Sequence, residues 1–364
     1  MRLGHQGNCK NGLTVCVDWL SFTLKESKEP SEAFELLGYN RDDFMELPSG
    51  RYGYKSAYKH LTEHVYVLYD GNDGMGVHVD ISGSSIDNVI SAYRKKGTVP
   101  TPFGDYAYET VNIEGSVFAD LCADIRASHG QFTRLDLAID DYGAEFFTTS
   151  EVWELMDRGQ FSMRFKGFEH KDHRDASGNI DGNTIYFGSR RSSCMLRVYD
   201  KKLEQNIKLK KNNEPIIENE WTRWELELKE DRANSAARIL EDGTPLGNVV
   251  IGILSNYLRF INLDSTRKTL CTSIDKWNAF IAGTVGLTLY QKPEPKTIED
   301  SEAWVMKQVA PSLASIVIAH GGDMEFLHEV ISSGASRLNK GQLVAIRIFQ
   351  EKCDSALRRK LVAC

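Results

Sequence analysis

Through the first 230 residues, apolar and polar positions alternate with the period of two that marks a strand with one buried face. The clearest case is Phe132–Asp140 (FTRLDLAID). Leu135, Leu137 and Ile139 face one way; Arg134, Asp136, Ala138 and Asp140 face the other. Trp221–Lys229 (WTRWELELK) repeats the pattern, and Leu13–Leu24, Glu63–Tyr69 and Val77–Ser82 are further β-rich runs. Asn72-Asp73-Gly74-Met75-Gly76 separates the last two as a hairpin turn. Thr184–Phe187 and Met195–Tyr199 predict a second hairpin, whereas Lys166–Asn183 is polar enough to read as a loop. Ile86–Lys95, Val117–Ser128 and Thr149–Arg158 are spaced as helices. After about Glu230 the helical period takes over, in Ala233–Leu240, Gly247–Ile261, Asp275–Ala282, Ser301–His320, Asp323–Ser333 and Lys340–Leu361, with Gln291–Lys296 as a linker. The pattern predicts an α+β chain. Residues 1–232 form an N-terminal domain around a mainly antiparallel sheet, and residues 233–364 form a mainly helical region.

Composition narrows the class. With 364 residues, 41% hydrophobic and 26% charged, the chain is an ordinary globular one. No run of eighteen apolar residues exists to span a membrane, and Met1–Gln6 lacks the apolar core of a signal peptide. The seven cysteines are scattered without a CxxC pair, which argues against a zinc finger or a disulfide framework and for a reduced, cytoplasmic protein. The net charge of −7 argues at first against a nucleic-acid partner. Its distribution reverses that. Arg190–Lys211 carries +6 and Ile331–Cys364 carries +5, leaving −18 on the remainder. Each basic run is either a solvated face or a phosphate-contacting one.

Three strands place charged groups opposite an apolar face: Arg134, Asp136 and Asp140 on one, Arg197, Tyr199 and Lys201 on another, Arg223, Glu225, Glu227 and Lys229 on a third. Carboxylates on two such strands can converge on a hard divalent cation, Mg²⁺ or Mn²⁺. Asp136 and Glu225, each mid-strand, are the leading ligands, and Asp80, which shares a face with His78 and Ser82, is a third candidate. Asp140 and Glu227 could equally be ion-pair partners for Arg134, Arg223 or Lys229. Tyr199 stands between Arg197 and Lys201 within the more basic segment, where cations favour a phenolate and hold a phosphodiester. It reads either as a covalent nucleophile towards phosphate or as a half-buried strand tyrosine.

Arg134-Leu135-Asp136-Leu137-Ala138-Ile139-Asp140-Asp141, Leu196-Arg197-Val198-Tyr199-Asp200-Lys201-Lys202 and Arg223-Trp224-Glu225-Leu226-Glu227-Leu228-Lys229 follow the order of the replication initiation factor family called Rep_trans, and the Ile81-Ser82-Gly83-Ser84 turn also resembles it. The resemblance runs over roughly Leu13–Arg232, more weakly beyond. It implies a rolling-circle initiator that nicks one strand of origin DNA through a 5′-phosphotyrosine and rejoins it at termination, with Tyr199 as nucleophile and Asp136 and Glu225 on the metal. Arg197 and Lys201 would steady the phosphate. It also implies a fold related to the His-hydrophobe-His endonucleases, although His78-Val79-Asp80 is the nearest approach to that motif here. Partners would be origin DNA, a host helicase and, as in many family members, a second copy. No GxxxxGK[ST] is present to supply a built-in ATPase. Because catalytic-type sequence begins by Leu13, with no helix-turn-helix domain ahead of it, a plasmid or phage initiator is expected over a conjugative relaxase. A non-catalytic origin-binding protein and a hydrolytic metal nuclease remain as competing readings. His170-Lys171-Asp172-His173 and the loop Asp175–Tyr186 fall short of zinc and calcium sites respectively.

Overall fold

Ten strands pair into one sheet, in the order Phe168–Arg174, Ile180–Phe187, Cys194–Asp200, Trp221–Lys229, Gly130–Tyr142, Leu13–Leu24, Val77–Ser82, Val65–Tyr69, Ser56–His60 and Phe44–Leu47. Every neighbouring pair is antiparallel. The computed structural model describes residues 12–96, 99–100, 106–107, 117–285, 298–335, 338, 342–343 and 345–350. Two units divide the chain: Met1–Val99 with Tyr108–Gln291, and Pro100–Ala107 with Lys292–Cys364. The sheet belongs to the first.

One face of the sheet is the core. Leu135, Leu137, Ile139, Trp224, Leu226, Leu228, Leu196 and Val198 are each at most 1% exposed, because the period-two pattern sends them all the same way. Helices Val117–Ala127, Asp231–Glu241, Leu246–Tyr257 and Asp275–Thr284 cover them. Trp224 lies 5.0 Å from Phe280 and 5.9 Å from Trp277, ring centre to ring centre, and Phe147 and Phe260 complete the cluster. The opposite face carries the charged positions.

The pattern does not predict the helices Pro30–Leu37 and Lys201–Lys211 or the strands Phe44–Leu47 and Ser56–His60, and the elements it does predict differ in four places. The expected boundary at Arg232 falls inside the first unit, because Ala233, Ala236, Ala237 and Leu240 bury one stripe of their helix against the sheet. The polar run Lys166–Asn183 is largely strand: Phe168–Arg174 is a sheet edge, wet enough to need no apolar side, and pairs by its backbone with Ile180–Phe187. The helix expected over Gly247–Ile261 stops at Tyr257, where Leu258–Phe260 turns extended to pair with Phe161–Met163. In the second unit, Ser301–His320 is interrupted by a wide turn at Val305–Val309, ahead of Pro311. The expected linker Gln291–Lys296 and most of Lys340–Leu361 and of the basic run Ile331–Cys364 lie outside the described residues. No helix among those described is long and apolar enough to cross a membrane.

Candidate active site on the open face of the sheet

Cross-strand pairing assembles the charged residues in rows. Arg223 pairs with Asp140 on one side and Tyr199 on the other, and Tyr199 with Thr184. One row on, Glu225 pairs with Arg197, and Arg197 with Tyr186; in the next, Glu227 pairs with Asp136. Residues more than eighty positions apart therefore meet on one surface. Asp140 and Glu227 turn out to be ion-pair partners. Arg223 donates two hydrogen bonds of 2.7 Å to Asp140, and Glu227 lies 3.0 Å from Arg134 and 2.6 Å from Lys229.

At the centre stands Tyr199. Its hydroxyl donates to Glu225 Oε2 at 2.9 Å and accepts from Lys201 Nζ at 3.2 Å. Glu225 Oε1 takes a hydrogen bond from Arg197, whose same terminal nitrogen lies 3.7 Å from Asp136 Oδ2. Arg134 grips Asp136 with two bonds, of 2.9 and 2.5 Å. Asp136 and Glu225 are both 0% exposed. Lys201 reaches the phenol from a helix rather than from the strand. The strand ends at Asp200, whose carboxylate caps Lys201–Lys211 by accepting from the Leu203 N–H at 2.9 Å.

Two expectations change. Burial drives the Tyr199 hydroxyl well above the usual tyrosine range, against the pull of Arg223, so the phenol holds its proton at neutral pH instead of resting as a phenolate. Asp80 does not join Asp136 and Glu225. Its strand is two removed from that of Asp136, about 10 Å at ordinary strand spacing, and its Oδ1 is taken by Trp19 Nε1 at 2.7 Å and Ser21 Oγ at 2.5 Å. Asp136 and Glu225 do share a point in space, because one Arg197 nitrogen touches both. Burial first, and the neighbouring Glu225 and Glu227 charges further, push the Asp136 carboxyl up to about 8 despite Arg134. Such crowded carboxylate oxygens suit a hard cation that keeps several waters. Among the described residues no group of three His, Cys, Asp or Glu is arranged to hold an ion.

A cleft of about 810 Å³ opens beside these residues, where five cations, Arg134, Arg190, Arg197, Lys201 and Lys229, alternate with six carboxylates, among them Glu204, Glu225 and Glu227. Asp18 and Trp19, unremarked in the sequence, also line it. Asp18 occupies a bulge between Val17 and Trp19 and pairs with Arg223 at 2.5 Å. The break in alternation at Asp18-Trp19 is the signal that could have exposed it. His170 stacks on Trp153 with ring centres 4.4 Å apart, and His173 pairs with Asp181, so neither is part of a metal cluster.

The chain is similar to known proteins over most of its length. Residues 130–331 match the Rep_trans family, described as replication initiation factor, and residues 14–103 match the rolling circle replication initiation protein N-terminal domain. A candidate DNA relaxase, NicK, of Bacillus subtilis (strain 168) is 31% identical over 314 residues, 84% of this chain and 82% of the relative. A solved structure of a rolling circle replication initiator protein from Geobacillus stearothermophilus superposes with a TM-score of 0.62 at 27% identity, covering 77% of this chain and all of that one. The family match spans more than half of the sequence, includes all three charged strands and is seconded by a relative aligned over most of both lengths: the chain belongs to the Rep_trans replication initiation factor family.

Proposed function

We propose that the chain is a rolling-circle replication initiator that nicks one strand of origin DNA with Tyr199 as nucleophile. The observation that carries this is the phenol itself: a protonated hydroxyl aimed at a buried carboxylate 2.9 Å away, with a lysine at its oxygen, in a cleft that also presents Arg134, Arg190, Arg197 and Lys229. Glu225 accepts the phenolic proton as the tyrosine oxygen attacks phosphorus. The P–O3′ bond breaks, and its electron pair leaves on the 3′ oxygen, which takes a proton from water in the open cleft. The products are a 5′-phosphotyrosine and a 3′-hydroxyl that can prime synthesis. Rejoining reverses both transfers. Lys201 stabilises charge on the phenolic oxygen, and Arg197 and Arg134 offer guanidinium groups to the phosphate.

Asp136 and Glu225 are the residues that would hold Mg²⁺ or Mn²⁺. The ion would supply charge neutralisation at the scissile phosphate. A host helicase and a second copy of the chain are the expected partners in replication. Similarity to NicK favours a conjugative relaxase as the second reading; the chemistry is shared, and whether the element replicates or transfers separates the two.

The test incubates the protein with supercoiled origin plasmid and an end-labelled single-stranded origin oligonucleotide, with Mn²⁺ present. A covalent protein–DNA band that disappears in Tyr199→Phe is expected. Nicking without such a band would point to a hydrolytic nuclease, and binding without nicking to an origin-binding protein. If Asp136→Ala leaves cleavage and its metal titration unchanged, the metal assignment falls.

A further inference from the structure

The catalytic face does not end at the cleft. Cross-strand pairing runs from Lys229 through Arg134, Ser21, Asp80 and Tyr66 to Lys59 in one unbroken row, so all these side chains share the face that carries Tyr199. Arg134 and Lys229 line the cleft. Tyr66 and Lys59 lie beyond it, in the half of the sheet matched by the N-terminal domain family. From the Arg134 strand to the Tyr66 strand is three strand spacings, about 14 Å. The same device occurs at two places along this face. The Arg134 guanidinium lies 4.1 Å above the Trp19 ring, and the Arg51 guanidinium lies 4.3 Å above the Tyr66 ring. Asp80, the acidic member of the row, is turned inward to Trp19 and Ser21.

The loop that brings Arg51 here is anchored on this face. Tyr54 packs on Ala57 and Leu68 and donates to the Met75 carbonyl at 3.0 Å. The anchor leaves Tyr52 67% exposed, with its ring 6.1 Å from that of His78. Tyr52 has φ of +55°, followed by Gly53 at +89°. An aromatic residue in the left-handed region costs of order 1–3 kcal/mol, so its exposed position is held by the surrounding structure rather than by its own preference.

We propose that this surface, Arg51, Tyr52, Tyr66 and Lys59, is a second binding site for single-stranded DNA, continuous with the catalytic cleft. Flat aromatic groups accept bases of any sequence, and the arginines and lysines track phosphates. The site holds the strand on one side of the nick without taking part in the chemistry. It extends the DNA-nicking function proposed above and can fail independently of it.

Fluorescence anisotropy of the full chain with labelled oligothymidylates of about 6 and about 20 nucleotides tests it, the longer being able to span both sites. The wild type should bind the longer one more tightly. Arg51→Ala and Tyr52→Ala should each remove most of that gain, on the order of tenfold, with unchanged melting temperature. Arg41→Ala is the matched control: its guanidinium lies 4.0 Å above Tyr58 on the opposite face, paired in register with Val67, and its loss should change nothing. A wild type that gains nothing from length, or equal losses in Arg51→Ala and Arg41→Ala, would overturn the proposal. The covalent band on a short nick-site oligonucleotide should survive in Arg51→Ala. Its absence from the wild type as well would count against Tyr199 chemistry and leave the binding result to stand or fall on the anisotropy.

Discussion

Tyr199 differs from an ordinary surface tyrosine in having its proton already hydrogen-bonded to a base. Burial raises the phenol's pKa further still, so attack by Tyr199 as proposed would need a proton acceptor, and Glu225 Oε2 lies within hydrogen-bonding distance. Glu225→Gln should slow nicking by about 10²–10⁴ while leaving DNA binding intact, and its residual rate should climb with pH as hydroxide replaces the missing base. A gel-shift and nicking assay on one preparation measures both. Asp136 gives a separate, thermodynamic test. Its folded-state pKa, raised to about 8, lies above the value near 4 expected when unfolded. The folded state therefore keeps a proton that the unfolded state gives up. The associated stability is full below about pH 4 and is lost as pH rises through about 8. In metal-free buffer the melting temperature should fall between pH 5 and 8, and Asp136→Asn should flatten that fall; identical slopes would contradict the shift. These residues were legible because alternation fixes which side chains share a face. Asp80 satisfied the same rule and still lies apart, because alternation says nothing about how many strands separate two carboxylates.

Single elements position these groups. Cys194–Asp200 delivers Arg197 and Tyr199, and the cap at Asp200 starts the helix whose first residue is Lys201. Asp200→Ala should cost about 1 kcal/mol in a denaturation curve and lower nicking more than it lowers stability, by loosening Lys201 from the phenol. Behind the site, Trp224 on the neighbouring strand is 1% exposed within an aromatic cluster. Trp224→Ala should cost about 3–5 kcal/mol. The helix Pro30–Leu37 is not predicted, although proline in its first turn and a glycine, Gly38 at φ +76°, just past its end are signals the alternation pattern leaves out. Phe168–Arg174 had no such signal. An edge strand of FEHKDHR is held by backbone pairing with Ile180–Phe187, and polar composition cannot report that.

At the scale of the molecule, strand order decides the function. Trp221–Lys229 inserts between Cys194–Asp200 and Gly130–Tyr142, so Asp136 and Glu225, some ninety residues apart, face one arginine. Strand sequences reveal their faces but not this order, which depends on how helices and loops return the chain across the sheet. Charge follows the same plan: in an acidic chain, Arg134, Arg190, Arg197, Lys201 and Lys229 meet at one cleft, interleaved with carboxylates. Binding to single-stranded DNA should weaken steeply with salt, and charge removal at Lys229 or Arg190 should shallow the slope of log affinity against log salt by about 0.7 for each phosphate no longer neutralised. The central claim is a covalent bond from one phenol to DNA. Trypsin cutting after Arg197 and Lys201 would release Val198–Lys201, a peptide with one tyrosine. After reaction with a short origin oligonucleotide and nuclease trimming, mass spectrometry should find the nucleotide on that peptide. A nucleotide on any other peptide would contradict the assignment of Tyr199.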